Sequence, residues 1–225
     1  MHLVLLHALP FDGRMWAEQM DLLPRATIAP DLYGLGRSIE EWARAIVDRT
    51  DGEQLIVVGA SMGGSCALEI AALAPARVAA VVLAEAKAGH RPEPEFRDEV
   101  VRTLQADGMA GAWQKYWAQL IGRATDLMIV EAARTLAFDQ DIDDVVRGVR
   151  AFHSRRDLSE FARVWTKPLV VISGDQNRPE RFAQLARDAS DGEFHCVADC
   201  GHYVNLEQPS QFAAIVRGVI DRVTT

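Results

Sequence analysis

The 225-residue chain has only three cysteines, Cys66, Cys196 and Cys200. Scattered and odd in number, they supply no disulfide framework, and a reducing cytoplasm is the expected setting. Cys196, Cys200 and His202 lie close together in sequence, but one cluster without a second ligand pair reads as buried thiols, so no metal site is expected. No apolar run is long enough to cross a bilayer. The opening run Leu3-Val4-Leu5-Leu6 has neither a basic leader nor a small-residue cleavage site. Lysine and arginine number 24 against 32 acidic residues, a formal charge of −8, and no basic cluster stands out. That argues against nucleic acid or an anionic membrane as the main partner; mild acidity of this kind serves solubility. The loop from Asp31 to Ser38 contains Gly34-Leu35-Gly36, yet no third glycine or following lysine completes a phosphate cradle, and no cofactor is implied. Internal repeats and low-complexity segments are absent.

With 49% hydrophobic residues the chain can form one globular domain with a substantial core and room for one insertion. It is organised around Leu55-Ile56-Val57-Val58-Gly59-Ala60-Ser61-Met62-Gly63-Gly64-Ser65, an apolar run ending in Gly-x-Ser-x-Gly and leading into a helical pattern from Cys66 to Leu73. This is the strand, sharp turn and helix of a nucleophile elbow. A serine on such a turn needs nearly side-chain-free neighbours two residues either side, so that strand and helix can pass closely. Gly59 and Gly63 meet that need. The helix start aims backbone N–H groups and its positive dipole end at charge developing beside Ser61 Oγ, which makes Met62 N–H a candidate oxyanion donor.

Along the chain, His2 to Leu6 reads as a buried strand, followed by the loop His7 to Gly13 and an amphipathic helix from about Met15 to Leu23. Ala26 to Ala29 is a short strand bracketed by Pro24 and Pro30, as suits a sheet edge. Ile39 to Arg49 is a helix with Ser38 and Glu41 as a capping box. Gln54 to Val58 and Val78 to Ala84 are further buried strands. From about Ala86 to Val164 the alternation gives way to helical patterns: Glu95 to Gln105, Gly111 to Ile121, Asp126 to Ala137 and Asp141 to Phe152. This segment reads as an inserted helical lid, residues 86–164, on a core formed by 1–85 and 165–225. Its aromatics, Phe96, Trp113, Tyr116, Trp117, Phe138 and Phe152, are expected mainly to pack the lid, with a few lining a pocket roof. Sheet alternation resumes with Lys167 to Ser173, a helix from Pro179 to Asp188, the strand Phe194 to Val197, the loop Asp199 to His202 and a last helix from Pro209 to Arg222. Alternation of this kind predicts an α/β fold, a mostly parallel sheet with helices on both faces and ligands beyond the strand carboxyl ends, where His7, Ser61 and Glu85 fall.

Four motifs in this order resemble the α/β-hydrolase fold family over essentially the whole chain: His7-Ala8-Leu9-Pro10, Gly59-Ala60-Ser61-Met62-Gly63, Ile172-Ser173-Gly174-Asp175, and Gly201-His202-Tyr203-Val204-Asn205-Leu206-Glu207-Gln208-Pro209. The resemblance implies Ser61 as nucleophile, His202 as general base, and an acid lying between them in sequence that orients the imidazole. It also implies an oxyanion hole from the N–H groups of Leu9 and Met62, with His7 bracing the loop. His202 has an independent argument, since imidazole titrates near neutrality and this one sits on a glycine-led loop; His90, His153 and His195 have no such setting. Two positions depart from the pattern. Ala8 stands where the family usually has glycine, and the usual Gly-x-x-Asp reads Gly174-Asp175-Gln176-Asn177. The acid is therefore open between Glu85, Asp175 and Asn177. Because the chain opens at the strand before the oxyanion loop, the family's N-terminal hairpin is expected to be missing and the Ala26 to Ala29 strand to form the edge. The reaction implied is hydrolysis of a small to medium apolar carboxylic ester or lactone through an acyl-enzyme, by a monomer or homodimer. Carbon–carbon bond hydrolysis, thioesterase or lyase chemistry, and a sensor or regulator with slow turnover, stay open on the same residues.

Overall fold

Unbroken apolar runs such as Leu55-Ile56-Val57-Val58 leave no face of a strand for water, so they require a sheet covered on both sides. The computed structural model, which describes residues 1–50 and 52–224, shows such a sheet. Its six strands are β1 (His2–Leu6), β2 (Thr27–Ile28), β3 (Leu55–Ala60), β4 (Val78–Ala84), β5 (Leu169–Gly174) and β6 (Gly192–Val197). All pairings are parallel, in the order β2-β1-β3-β4-β5-β6. Every residue of β3 and β5 is buried, whereas β6 at the far edge is largely open. Helices α1 (Ile39–Arg49), α2 (Met62–Leu73), α7 (Glu180–Asp188), α8 (Val204–Glu207) and α9 (Pro209–Thr224) complete the core. The expected edge strand is confirmed as β2, trimmed to two residues between its prolines.

After β2 the chain crosses over β1 to start β3 on its other side, and from there the strands are added in sequence. The reversal opens a crevice at the carboxyl ends of β1 and β3. The ladders run on past the strand ends, because Ser61 N–H donates to Ala84 O at 2.8 Å and Glu85 N–H to Ile172 O at 2.9 Å. Ser61 and Glu85 are thereby locked side by side at the rim of the sheet.

Several elements differ from their sequence readings for identifiable reasons. Instead of an α-helix from Met15 to Leu23, the chain forms a 3₁₀ helix, Gly13–Gln19, capped by Asp12. The Met15 carbonyl, which an α-helix would offer to residue 19, instead accepts from Asn205 Nδ2 at 2.9 Å. Only half of the capping box at α1 forms. Ser38 Oγ accepts from Glu41 N–H at 3.2 Å, but the Glu41 carboxylate turns to Arg37 N–H at 2.6 Å. Between β4 and β5 lie α3 (Pro94–Ala112), a π turn at Trp113–Trp117, a 3₁₀ turn at Ala118–Leu120, α4 (Leu127–Phe138), α5 (Ile142–Ser154) and a further short helix, α6 (Ser159–Val164). Gly108, at φ +68°, kinks α3, so the first two expected helices are joined end to end.

The elbow's glycines are sterically required. A Cβ on Gly59 would lie 2.2 Å from Gly63 O, and one on Gly63 would lie 2.1 Å from Leu6 O, both rigid backbone atoms. Gly63→Ala is accordingly expected to destabilise the protein by about 3 kcal/mol or more. Gly218→Ala, on α9 with open space around the new methyl, is expected to stabilise by about 1 kcal/mol. Chemical denaturation midpoints moving in the same direction for both variants would contradict this account.

Candidate active site

Ser61 caps the start of α2 with φ +48° and ψ −110°, a strained conformation for a residue with a Cβ. The turn lifts its side chain above the sheet. Among the described residues, Ser61 Oγ, Met62 N–H and Leu9 N–H have no hydrogen-bond partner, so one hydroxyl and two donors are left for something else. Leu9 is held from both sides of its loop. Tyr203 OH donates to Leu9 O at 3.2 Å, and the preceding Ala8 N–H points at Met15 Sδ, 3.2 Å away. Ala8 keeps a negative φ, so its methyl group introduces no strain. His7 is fully buried and braces the loop: its Nε2 accepts from Leu32 N–H at 2.9 Å while Nδ1 faces Ala8 O at 3.3 Å.

Glu85 is the next residue along the rim, also at positive φ (+53°), and its side chain is completely buried. A carboxylate there must collect donors to offset its lost hydration. Oε1 accepts from Ser173 Oγ–H and from Gly174 N–H, each at 2.7 Å, and Oε2 accepts from Asn177 Nδ2. Oε2 also lies 3.6 Å from His202 Nδ1, and Asn177 Nδ2 lies 2.8 Å from the same ring nitrogen. Turning the Asn177 amide over would set its oxygen against the carboxylate, acceptor against acceptor, so the carboxylate fixes which end faces inward. Of the three acid candidates, Glu85 and Asn177 thus meet at His202. Asp175 does not. It is exposed, and its Oδ1 accepts from Cys200 N–H at 3.1 Å, which braces the loop and turns the carboxylate away from the imidazole.

The loop carrying His202 is pinned on both flanks by Glu207, a buried residue inside the last motif whose part was not read from the sequence. Its carboxylate accepts from Gly201 N–H and Tyr203 N–H at 2.9 Å each, and from Gly122 N–H at 2.8 Å and Thr125 Oγ at 2.6 Å. His202 N–H donates to Leu120 O at 2.8 Å. The imidazole is therefore positioned jointly by the core and by the helical segment 86–164. Cys200 is buried as expected, but Cys196 is exposed on the edge strand β6, which corrects the reading of both as buried thiols.

Ser61, Glu85, Asn177 and His202 line one cavity of about 480 Å³. Its apolar wall comes from Leu9, Val100, Leu120 and Val149, with Phe96, Tyr116, Trp117 and Phe152 above. Four of the six aromatics singled out in residues 86–164 thus border the cavity rather than packing only within that segment. Trp113 and Phe138 stay outside it, stacked edge to face with ring centroids 6.5 Å apart. Polar side chains complete the wall, among them Lys87, His90, Arg91, Glu93, His153, Arg155 and Arg181.

A model of the Alpha/beta hydrolase family matches residues 3–215. The chain belongs to that family. Lipase LipV of Mycobacterium tuberculosis is 32% identical to this alpha/beta hydrolase, over 94% of this chain and 90% of the lipase. A putative carbamate hydrolase of Pseudomonas syringae is 25% identical, over 97% and 93% of the two chains. Among solved structures, a thermophilic esterase from Thermogutta terrifontis superposes with a TM-score of 0.92 at 22% identity, covering 100% of this chain and 91% of its own. An enol-lactonase from Burkholderia xenovorans superposes at 0.84 with 21% identity, covering 98% and 91%. At those identities the superpositions establish the fold.

Burial, and next the Arg155 charge, hold both His90 and His153 below the ordinary histidine value of 6.5. The folded hydrolase therefore takes up these protons less readily than the unfolded chain. Their contribution to stability is complete above 6.5 and is lost as the pH falls below it toward the depressed folded values. Denaturation midpoints are expected to drop between about pH 7.5 and about pH 5.5, and to drop less in His153→Gln. An equal drop in that variant would remove His153 from the explanation.

Proposed function

We propose that the protein is a serine hydrolase of carboxylic esters or lactones, with Ser61 as nucleophile, His202 as general base and Glu85 as the acid that orients it. The observation that carries this reading is the strained Ser61, its hydroxyl unpartnered, in one cavity with an imidazole whose far nitrogen faces a buried carboxylate. Attack by Ser61 Oγ on the ester carbonyl passes the proton to His202 Nε2. The tetrahedral oxyanion lies between Leu9 N–H and Met62 N–H at the positive end of α2. His202 then protonates the leaving alkoxide, and a water activated by the same nitrogen hydrolyses the acyl-enzyme. Residues 86–164 act as the lid, whose aromatic underside receives the apolar part of the substrate. Relatives described as a lipase and a carbamate hydrolase are consistent with hydrolysis at a carbonyl.

Asn177 decides how readily the base works. When its Nδ2 donates to His202 Nδ1, the ring hydrogen sits on Nε2 and the histidine cannot accept the Ser61 proton. When the hydrogen is on Nδ1 and directed at Glu85 Oε2, Nε2 is free to accept. Competition between these tautomers favours a modest turnover rate, which is also what a slow-turnover sensor on this fold requires.

Steady-state hydrolysis of a p-nitrophenyl ester series tests the assignment. Ser61→Ala is expected to abolish turnover and labelling by a fluorophosphonate. Glu85→Gln is expected to lower kcat by about 10³–10⁴, and Asp175→Asn by less than about threefold, as befits an exposed loop residue. Asn177→Ala should cost far less than Glu85→Gln. Activity unchanged in Ser61→Ala would overturn the reading, and a larger loss in Asp175→Asn than in Glu85→Gln would overturn the choice of acid.

A further inference from the structure

The cavity wall opposes the charge of the molecule around it. Whereas the chain as a whole carries a formal charge of −8, four permanent cations, Lys87, Arg91, Arg155 and Arg181, line the cavity against two carboxylates, Glu85 and Glu93. Glu85 is already enclosed by its own donors and His202. The cations come from three separate segments: Lys87 and Arg91 from the loop between β4 and α3, Arg155 from the end of α5 and Arg181 from the first turn of α7. The same four, with His90 and Glu93, also line an adjoining cleft of about 630 Å³. They therefore stand where the cavity meets the outside.

Among the described residues, none of the four forms an ion pair, although nearby arginines do: Arg156 pairs with Glu69 and Arg163 with Glu160. Lys87 rests over the Phe182 ring at 5.7 Å, and the Arg155 guanidinium over the Phe152 ring at 3.9 Å. Arg155 Nη1 donates to Phe152 O at 2.6 Å, but its Nε is buried without a partner. Burial pushes the Arg155 guanidinium down to about 10, against the pull of Asp157 and Glu93. Lys87 is lowered by burial and then by Arg181 and Arg155. Lys87 thus feels the charge of both Arg181 and Arg155. A guanidinium held over a ring with one N–H left without a partner retains donor capacity for an oxyanion.

We propose that this cluster is an anion subsite, and that the substrate is an ester carrying a carboxylate or phosphate group which Arg155, Arg181, Lys87 and Arg91 bind while its carbonyl lies at Ser61. The carbonyl's position rests on the ester-hydrolase reading, whereas the subsite itself rests on the cations. The apolar wall between them takes the connecting chain. The rim thereby also marks an approach along which an anion is attracted to the Ser61 cavity, in a chain whose net charge is negative.

The test separates binding from turnover. In Ser61→Ala, where an ester stays intact, calorimetry is used to compare monoethyl glutarate, 2-acetoxyethyl phosphate and the neutral diethyl glutarate. At least one anionic ester is expected to bind about tenfold to a hundredfold tighter than the neutral one. Arg155→Gln combined with Arg181→Gln should remove most of that preference, as should high salt. The tighter of the two anions assigns the subsite to carboxylate or to phosphate. Equal affinity for charged and neutral esters, no detectable binding of any of them, or a preference that survives the substitutions would overturn the proposal. Should circular dichroism show that the arginine pair is needed for folding, Lys87→Gln with Arg91→Gln, two exposed residues, supplies the same comparison. Turnover by the native protein is scored separately. Anion preference without hydrolysis of any ester sinks the hydrolase reading and leaves the subsite standing, whereas hydrolysis without anion preference does the reverse.

Discussion

A carboxylate buried at the end of the fourth strand sets the terms for this site. Moving an ionised carboxyl out of water costs several kcal/mol unless hydrogen bonds replace its hydration, and the Glu85 side chain is entirely out of solvent. The donors that meet it come from neighbouring chain segments: Ser173 and Gly174 at the end of the next strand, and Asn177 in the loop beyond. His202 arrives from a loop near the C-terminus. Satisfying one buried charge therefore draws together the ends of two strands and two loops far apart in sequence.

Strain is concentrated at the same rim. Ser61 and Glu85 both hold positive φ without being glycine, a conformation that costs about 1–3 kcal/mol each. The surrounding structure enforces it. The sheet ladder extends through both residues by way of Ala84 O and Ile172 O, and helix α2 packs so closely on β1 and β3 that Gly59 and Gly63 admit no Cβ. Rigid neighbours on either side leave the serine hydroxyl exposed to the cavity instead of folded into the turn. The histidine is held by comparable means, since Glu207 and Leu120 pin its loop to the helical segment above. Any displacement of that segment would be transmitted to the imidazole.

Electrostatics at the cavity mouth has a different origin from that at its floor. On the floor, Glu85 is matched by neutral donors and one imidazole, so its field is directed into the site. At the mouth, cations from three segments stand outside any ion pair among the described residues, in a molecule whose overall charge is negative. Low-dielectric aromatic walls between the two regions, Phe152 and Phe182 among them, reduce screening and let both fields persist.

Local patterns dictated most of the scaffold and half of the site. Apolar runs bounded by turns place β1, β3, β4 and β5 within a residue or two, because strands buried on both faces leave no other arrangement for such sequences. Gly-x-Ser-x-Gly identifies Ser61, because steric crowding at a strand-to-helix turn permits few other spellings. What the sequence left open were features made by side chains meeting from distant positions. The choice among Glu85, Asp175 and Asn177 depends on which side chains face His202, and spacing along the chain carries no information on that. The 3₁₀ helix at Gly13–Gln19 follows from a carbonyl taken by Asn205, nearly two hundred residues away. No basic cluster is visible along the sequence because Lys87, Arg91, Arg155 and Arg181 are spread over 95 positions. Only the tertiary fold gathers them, since electrostatic potential depends on distance in space and is blind to order in the chain.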